Sequence, residues 1–228
     1  MIKGDLRKKQ ILEMAEELFT MKGYEATGVQ DILDRLQLSK GSFYHHFESK
    51  ELVLQTICAN RAKKAAAAFQ ELPVTNGLVR MNRLLSGMIP FHGEGLSFLK
   101  MILPVFVLPE GKSIRSGYQE ALKKCWYPLT EEALGMMIGQ KQAYAMYPQH
   151  TAGILLDLVN DLWAQISEAM ILAEKQTREP VLPGTLLALV EPYRLTLENL
   201  ICAPYGSIEL LNLEELTQVT REIHDWWL

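Results

Sequence analysis

The residues of this chain best suited to chemistry lie in one run, Leu38-Ser39-Lys40-Gly41-Ser42-Phe43-Tyr44-His45-His46-Phe47, followed by Glu48-Ser49-Lys50-Glu51-Leu52. Leu38, Phe43 and Phe47 recur at spacings that dock one face of a short helix inward. That leaves Lys40, Ser42, Tyr44, His45 and His46 at the helix start and along its outer face. A DNA major groove admits one α-helix and is read by residues near that helix's N-terminus. Small Gly41 and Ser42 permit close approach, while Tyr44, His45 and Lys50 can reach phosphates and base edges. Phosphate contacts fix position, and only a few side chains choose the sequence.

Other chemistries find less support. Adjacent residues on a helix diverge by about 100°, so His45 and His46 do not converge on one metal ion, and no third ligand stands nearby in sequence. His92, His150 and His224 are scattered and read as surface or packing histidines. No nucleophile with its base and orienting group, no phosphate-cradling glycine loop and no metal-ligand spacing is present. An all-α enzyme would need a polar constellation in the second half, where Asp157 and Glu168 are the candidates a turnover assay would test. Neither an enzyme nor a cofactor is expected.

Composition sets the outer bounds. The 228 residues are 48% hydrophobic and 22% charged, enough for one large domain or a small and a larger one, which excludes whole-chain disorder. The longest apolar run, Met101 to Pro109, is too short to span a bilayer. Charges in the first nine residues stand where a signal peptide needs an apolar core, so a cytoplasmic protein without membrane attachment is expected. Cys58, Cys125 and Cys202 are odd in number and far apart, as reduced, packing cysteines are. The net charge of −4 disfavours a nucleic-acid binder taken alone, yet residues 1–64 carry +2 and the remainder −6. DNA, if bound, meets the first quarter of the chain.

The elements that must position these side chains are helical, because apolar residues recur at three- and four-residue steps almost throughout. A first helix is expected over about Asp5–Lys22, with the stripe Ile11, Ala15, Leu18 and Phe19 and with Gly23 as its left-handed terminus. Thr27 is suited to cap a second, Val29–Leu36, and Ser39 a third, Lys40–Phe47. Ser49 is suited to cap a long fourth helix, about 50–71. Two short helices joined by a tight turn and braced by a preceding one form a helix-turn-helix. Pro73, Asn76 and Gly77 mark a break. Longer helices then follow over roughly 78–91, 96–108, 113–147, 148–175, 184–201 and 207–227, with kinks or breaks expected at Pro104, Pro128 and Pro192.

The run Gly23-Tyr24-Glu25-Ala26-Thr27, then Asp31-Ile32, then Leu38 to Phe47 and Ser49-Lys50-Glu51-Leu52, resembles the N-terminal signature of TetR-family transcriptional regulators over about residues 6–57. The resemblance implies that Thr27, Tyr44 and Lys50 contact phosphates and that Lys40, Gly41, Ser42 and His45 line the groove. It makes Phe43 and Phe47 core and leaves His46 to phosphate contact or packing. With the capping Ser39, these are the expected DNA-binding residues: Thr27, Ser39, Lys40, Gly41, Ser42, Tyr44, His45, His46 and Lys50. Gln37-Leu38 departs from the small Gly-Val common in the family's turn and points to a slightly looser one.

The expected architecture is all-α, with a helix-turn-helix domain at 1–50 and a larger helical effector-binding and dimerisation domain at 51–228, joined by the helix over 50–71. Met88, Phe91, Met101, Phe106, Tyr118, Trp126, Tyr144, Asp157 and Asp161 are the candidate ligand residues, although a core would use the same apolar side chains. Asp157, Asp161 and Glu168 fall near one helix face, where a cavity, a dimer seam or plain solvent would suit them. The helices over 148–175 and 184–201 are apolar on more than one face and should pair with their copies across a two-fold axis. A homodimeric repressor that binds a near-palindromic operator and is released by a small molecule is expected. The alternative is a DNA-binding interaction protein of the same fold that senses no ligand.

Overall fold

The computed structural model describes residues 3–70, 75–91, 94–109 and 111–227. Among them the regular structure is helical: α1 (Lys3–Lys22), α2 (Val29–Leu36), α3 (Lys40–Tyr44), α4 (Lys50–Gln70), α5 (Gly77–Met88), α6 (Glu94–Ile102), α7 (Gly111–Gly139), α8 (Pro148–Gln176), α9 (Pro183–Leu200) and α10 (Leu213–Trp227). Glu71, Pro73 and His92, which the sequence assigned to a helix end, a break and the surface, lie outside the described residues.

Two compact units divide the chain, one formed by Met1–Ala62 with Ser97–Ala121 and the other by Lys63–Leu96 with Leu122–Leu228. In the first, Ile11, Ala15, Leu18 and Phe19 of α1 are buried together with Ile32 and Leu33 of α2, and with Phe43, Phe47, Val53, Leu54 and Ile57. Burying a side chain of this size removes apolar area worth about 1.5–3 kcal/mol, which is why short α2 and α3 hold their places. In the second unit α8 packs on α9, and α10 packs on both. Trp163, Leu162, Ile166 and Val159 make the buried face of α8.

Several helix ends differ from the pattern-based expectation. Chain polarity and tertiary bonding explain them. At Pro104 the α6 segment gives way to a 3-10 turn, Leu103–Val107, as the missing donor demands. At Pro128 and Pro192, by contrast, α7 and α9 run on unbroken. The single pattern over 113–147 ends at Gly139, because Lys141 turns left-handed (φ 58°) and the Gln142 N–H closes back on the Met137 carbonyl at 2.8 Å. Gln140 Oε1 then accepts from the Gly77 N–H (2.8 Å) and Gln142 Oε1 from the Leu78 N–H (3.0 Å), so both glutamines serve the N-terminus of α5.

The segment 207–212 is not helical either. The Ile208 N–H donates to Glu198 (3.1 Å), and Asn82 bonds both the Ser207 carbonyl and the Glu209 N–H. Asn212 and Glu215 exchange reciprocal side-chain to backbone bonds of 2.9 and 2.8 Å that start α10 six residues later than expected.

Candidate nucleic-acid interface

The candidate segment is built from its caps outward. Gly23, at φ 86°, ends α1 as only glycine does cheaply, and its N–H closes on Phe19. The ring of Phe19 meets Tyr24 edge-on at 5.2 Å, anchoring the loop that follows. The N-cap of α2 is Gly28 rather than Thr27. Thr27 is fully buried, and its hydroxyl donates inward to the Gly23 carbonyl at 2.8 Å. A glycine offers no side-chain acceptor for the first N–H groups of α2, and the carboxylate of Asp31 instead reaches back to receive the Gly28 N–H at 2.6 Å. Lys22 completes the corner with Nζ 2.9 Å from Asp31, and together these bonds hold the Asp31 carboxyl below the usual carboxylate range.

Gln37 makes the turn in left-handed geometry, φ 53° and ψ 46°, and the Leu38 N–H bonds the Leu33 carbonyl at 2.9 Å. The side chain of Ser39 then caps α3 by accepting the Ser42 N–H at 3.2 Å. Only Lys40–Tyr44 is regular helix. His45 is its cap, and the chain stays in turn geometry to Phe47, which closes on Phe43 at 2.9 Å. Ser49 caps α4 through the Leu52 N–H at 3.1 Å, as its position suggested.

Phe43 and Phe47 are buried, so α3 presents its opposite face. Ser39, Lys40, Gly41, Tyr44 and His45 are exposed on it, with Ser42 and His46 half-buried. Tyr44 is 53% exposed while its ring packs edge-on against Phe43 at 5.4 Å, a geometry that presents the hydroxyl and restrains the ring. His45 and His46 stack edge-on at 5.0 Å. Lys50 is turned inward: its ammonium donates to the carbonyls of Tyr24 (2.8 Å) and Thr27 (3.0 Å) and lies over the Tyr24 ring at 4.0 Å. Residue type and spacing gave no signal for that tie, since a lysine at a helix start more often meets solvent.

The nine candidate ligand residues take varied places. In the first unit, Met101 and Tyr118 are buried and Phe106 is half-buried. Tyr118 stacks on Phe98 at 5.2 Å, Arg115 lies over Phe106, and burial pushes the Tyr118 phenol above its ordinary range. In the second, Met88, Phe91 and Trp126 are buried, and Trp126 stacks on Phe69 at 5.6 Å. Tyr144 is exposed. Asp157 pairs with Lys123 (2.7 Å), and Asp161 accepts from Tyr193 and Gln165, both at the surface.

Sequence reasoning passed over Arg80, which is buried on α5 above the Phe69 ring and bridges to Glu132 at 3.0 Å. Its place between Gly77 and Met81 on an apolar stripe was the available signal. The Nε of Arg80 and the indole nitrogen of Trp126 are buried with no acceptor among the described residues.

Comparison with known proteins agrees with this geometry. Residues 11–57 match the family model described as bacterial regulatory proteins, tetR family. Over 188 residues the chain is 28% identical to the HTH-type transcriptional regulator UidR of Escherichia coli strain K12, covering 80% of this chain and 90% of that one. Among solved structures, a TetR-family transcriptional regulator from Pectobacterium atrosepticum superposes with a TM-score of 0.61 at 17% identity, over 89% of this chain and 97% of that one. A transcriptional regulator from Saccharomonospora viridis in complex with choline gives 0.53 at 21% identity, over 85% and 96%. At such identities the two structures speak for the fold alone.

Proposed function

We propose that this chain, a TetR-family transcriptional regulator, is a homodimeric repressor that binds a near-palindromic operator and is released by a small-molecule effector. The observation that carries the DNA half is α3: a helix capped by Ser39, rooted by Phe43 and Phe47, and presenting Lys40, Gly41, Ser42, Tyr44 and His45 outward. In this reading Tyr44 contacts a phosphate, Lys40, Gly41, Ser42 and His45 line the groove, and His46 supports the helix end. Thr27 and Lys50 act through the Tyr24–Thr27 loop. The functional division falls near residue 50, with α4 as the connecting helix.

Dimerisation through α8 and α9 is supported by apolar residues that the chain itself leaves exposed, Ile154 and Leu172 on α8 and Leu195 on α9. In a soluble monomer such a row is unfavourable, whereas a two-fold seam removes it from water. The effector half is supported by likeness in fold to the Saccharomonospora viridis regulator, whose structure holds choline. The buried donors of Arg80 and Trp126, each costing about 1–3 kcal/mol without an acceptor among the described residues, are the polar groups of that half left to be satisfied. Coupling through α4 of about 1–3 kcal/mol would weaken operator binding roughly 5- to 150-fold.

Footprinting of the full-length protein on DNA flanking its own gene tests this reading. Two half-sites whose centres lie about 34–36 Å apart, or a multiple of that, are expected. Protection of a single asymmetric half-site would overturn it.

A further inference from the structure

We propose that the start of α1 is a second DNA-contacting element, in which Lys8, with Arg7 beside it, neutralises a backbone phosphate flanking the base pairs that α3 faces. The inference rests on the reading of α3 as the groove-facing helix. The buried stripe of α1, formed by Ile11, Ala15 and Leu18, continues towards the N-terminus through Lys8 and Gly4 at the same helical steps. A stripe that is apolar where it packs therefore turns basic at one place, and that place lies against the end of the reading segment. A Cβ added to Gly4 would stand 3.9 Å from Cε1 of His46, and Nζ of Lys8 is 5.4 Å from the centre of the Phe47 ring.

Lys8 is exposed there, held beside the helix end by the ring of Phe47. Arg7 is half-buried and steadied by Gln10, its Nη1 donating at 3.1 Å. Lys9 turns instead to Glu13 at 3.6 Å and takes no part. Charge complementarity selects the occupant. DNA offers about one negative charge per 1.7 Å of axis on both sides of an occupied groove, so cations flanking a helix in that groove meet phosphate without distorting either partner. An acidic protein surface would match the same cations, but nothing then explains their place beside the reading helix.

The test is a salt titration of the full-length protein on a mixed-sequence duplex, comparing Lys8→Gln, Lys8→Arg and the Arg7→Gln/Lys8→Gln pair with the wild type. Lys124→Gln on α7, exposed and outside both the reading helix and the α8–α9 seam, serves as the control. Loss of one phosphate contact lowers the slope of log affinity against log salt by about 0.9 per protomer. Lys8→Gln is expected to show that decrease, the double variant a larger one, and Lys8→Arg and Lys124→Gln none. A slope unchanged in the double variant, with helical content intact, overturns the proposal. So does a lowered unfolding midpoint for Lys8→Gln without a change of slope, because Lys8 would then serve only the end of α3. A wild-type protein with no salt-dependent attraction to any duplex overturns the α3 reading itself, a result distinct from both.

Discussion

Nζ of Lys50 lies 2.8 Å from the carbonyl oxygen of Tyr24 and 4.0 Å from the centre of the same residue's ring. The first residue of α4 thus grips the loop between α1 and α2 by a charged hydrogen bond and a ring contact together, with Thr27's carbonyl as a further acceptor. Hydrogen bonds to charged groups are worth about 1.5–3 kcal/mol when shielded and less at a half-exposed site. Lys50→Ala is therefore expected to lower unfolding stability by about 1–2 kcal/mol, read in a denaturant titration. A lysine used solely as a phosphate contact would weaken DNA binding and leave that titration unmoved.

The cap of α3 separates folding from recognition. Ser39 Oγ accepts the Ser42 N–H, and removing such a cap costs about 1 kcal/mol. Ser39→Ala should show that loss. Ser39→Asp should restore stability, because aspartate caps as well as serine does, yet it should still weaken duplex binding by placing a negative charge among phosphates. If Ser39→Asp binds a duplex as the wild type does, Ser39 does not face the DNA.

How much of this was legible in the sequence depended on whether a bond was local. Ser39, Ser49 and Gly23 announce their roles because a cap serves a backbone group within four residues. The α8 and α9 helices were readable from their apolar repeats. Lys50, Gln140 and Gln142 were not, since each bonds a backbone 23 or more residues away, and composition does not encode a long-range partner. Thr27 was misplaced as the α2 cap for a related reason: its side chain found the end of α1, leaving Gly28 as the cap, whose own N–H is received by Asp31, the third residue of α2. The turn of the reading motif shows the reverse case, in which a local preference is overruled by packing at both ends.

Gln37 illustrates that cost. A non-glycine residue at φ 53° carries strain of about 1–2 kcal/mol. Gln37→Gly relieves it and returns part through the freer unfolded chain, about 0.4–1 kcal/mol. A rise in unfolding stability of about 0.5 kcal/mol is expected, while Gln37→Val, β-branched, should fall below the wild type. Equal midpoints for the glycine and valine variants would contradict the left-handed turn.

Asp31 makes the α2 corner pH-sensitive. Its carboxyl is held below the usual value first by Lys22 and then by the Gly28 N–H. A carboxylate with a folded pKa lower than its unfolded one contributes stability above the unfolded value, near 3.8, and loses it as pH falls through the folded value. Asp31→Asn should flatten the decline in unfolding midpoint between neutral and strongly acidic pH, with the two proteins converging at the acidic end. A wild-type midpoint that fell no faster than the variant's would show that this carboxylate is not linked to folding.

The α8 face offers the sharpest test of assembly. Ile154 and Leu172 are each 46% exposed, and Leu158, Asp161, Gln165 and Ala169 lie between them at helical steps. Asp161 and Gln165 are bound to Tyr193 of α9, so the row is apolar at its ends and hydrogen-bonded at its centre. Such a row suits a two-fold seam, where a fixed polar centre sets register between apolar flanks. Ile154→Glu would bury an unpaired charge in each copy at about 3 kcal/mol, hence about 6 kcal/mol per dimer, or roughly ten-thousandfold in the dimer dissociation constant. Sedimentation equilibrium should then show monomers where the wild type is dimeric, with helical content preserved. Operator affinity should fall with it, because one reading helix binds without its twin. A variant that sediments as the wild type does would place the seam elsewhere and leave the exposed isoleucine unexplained.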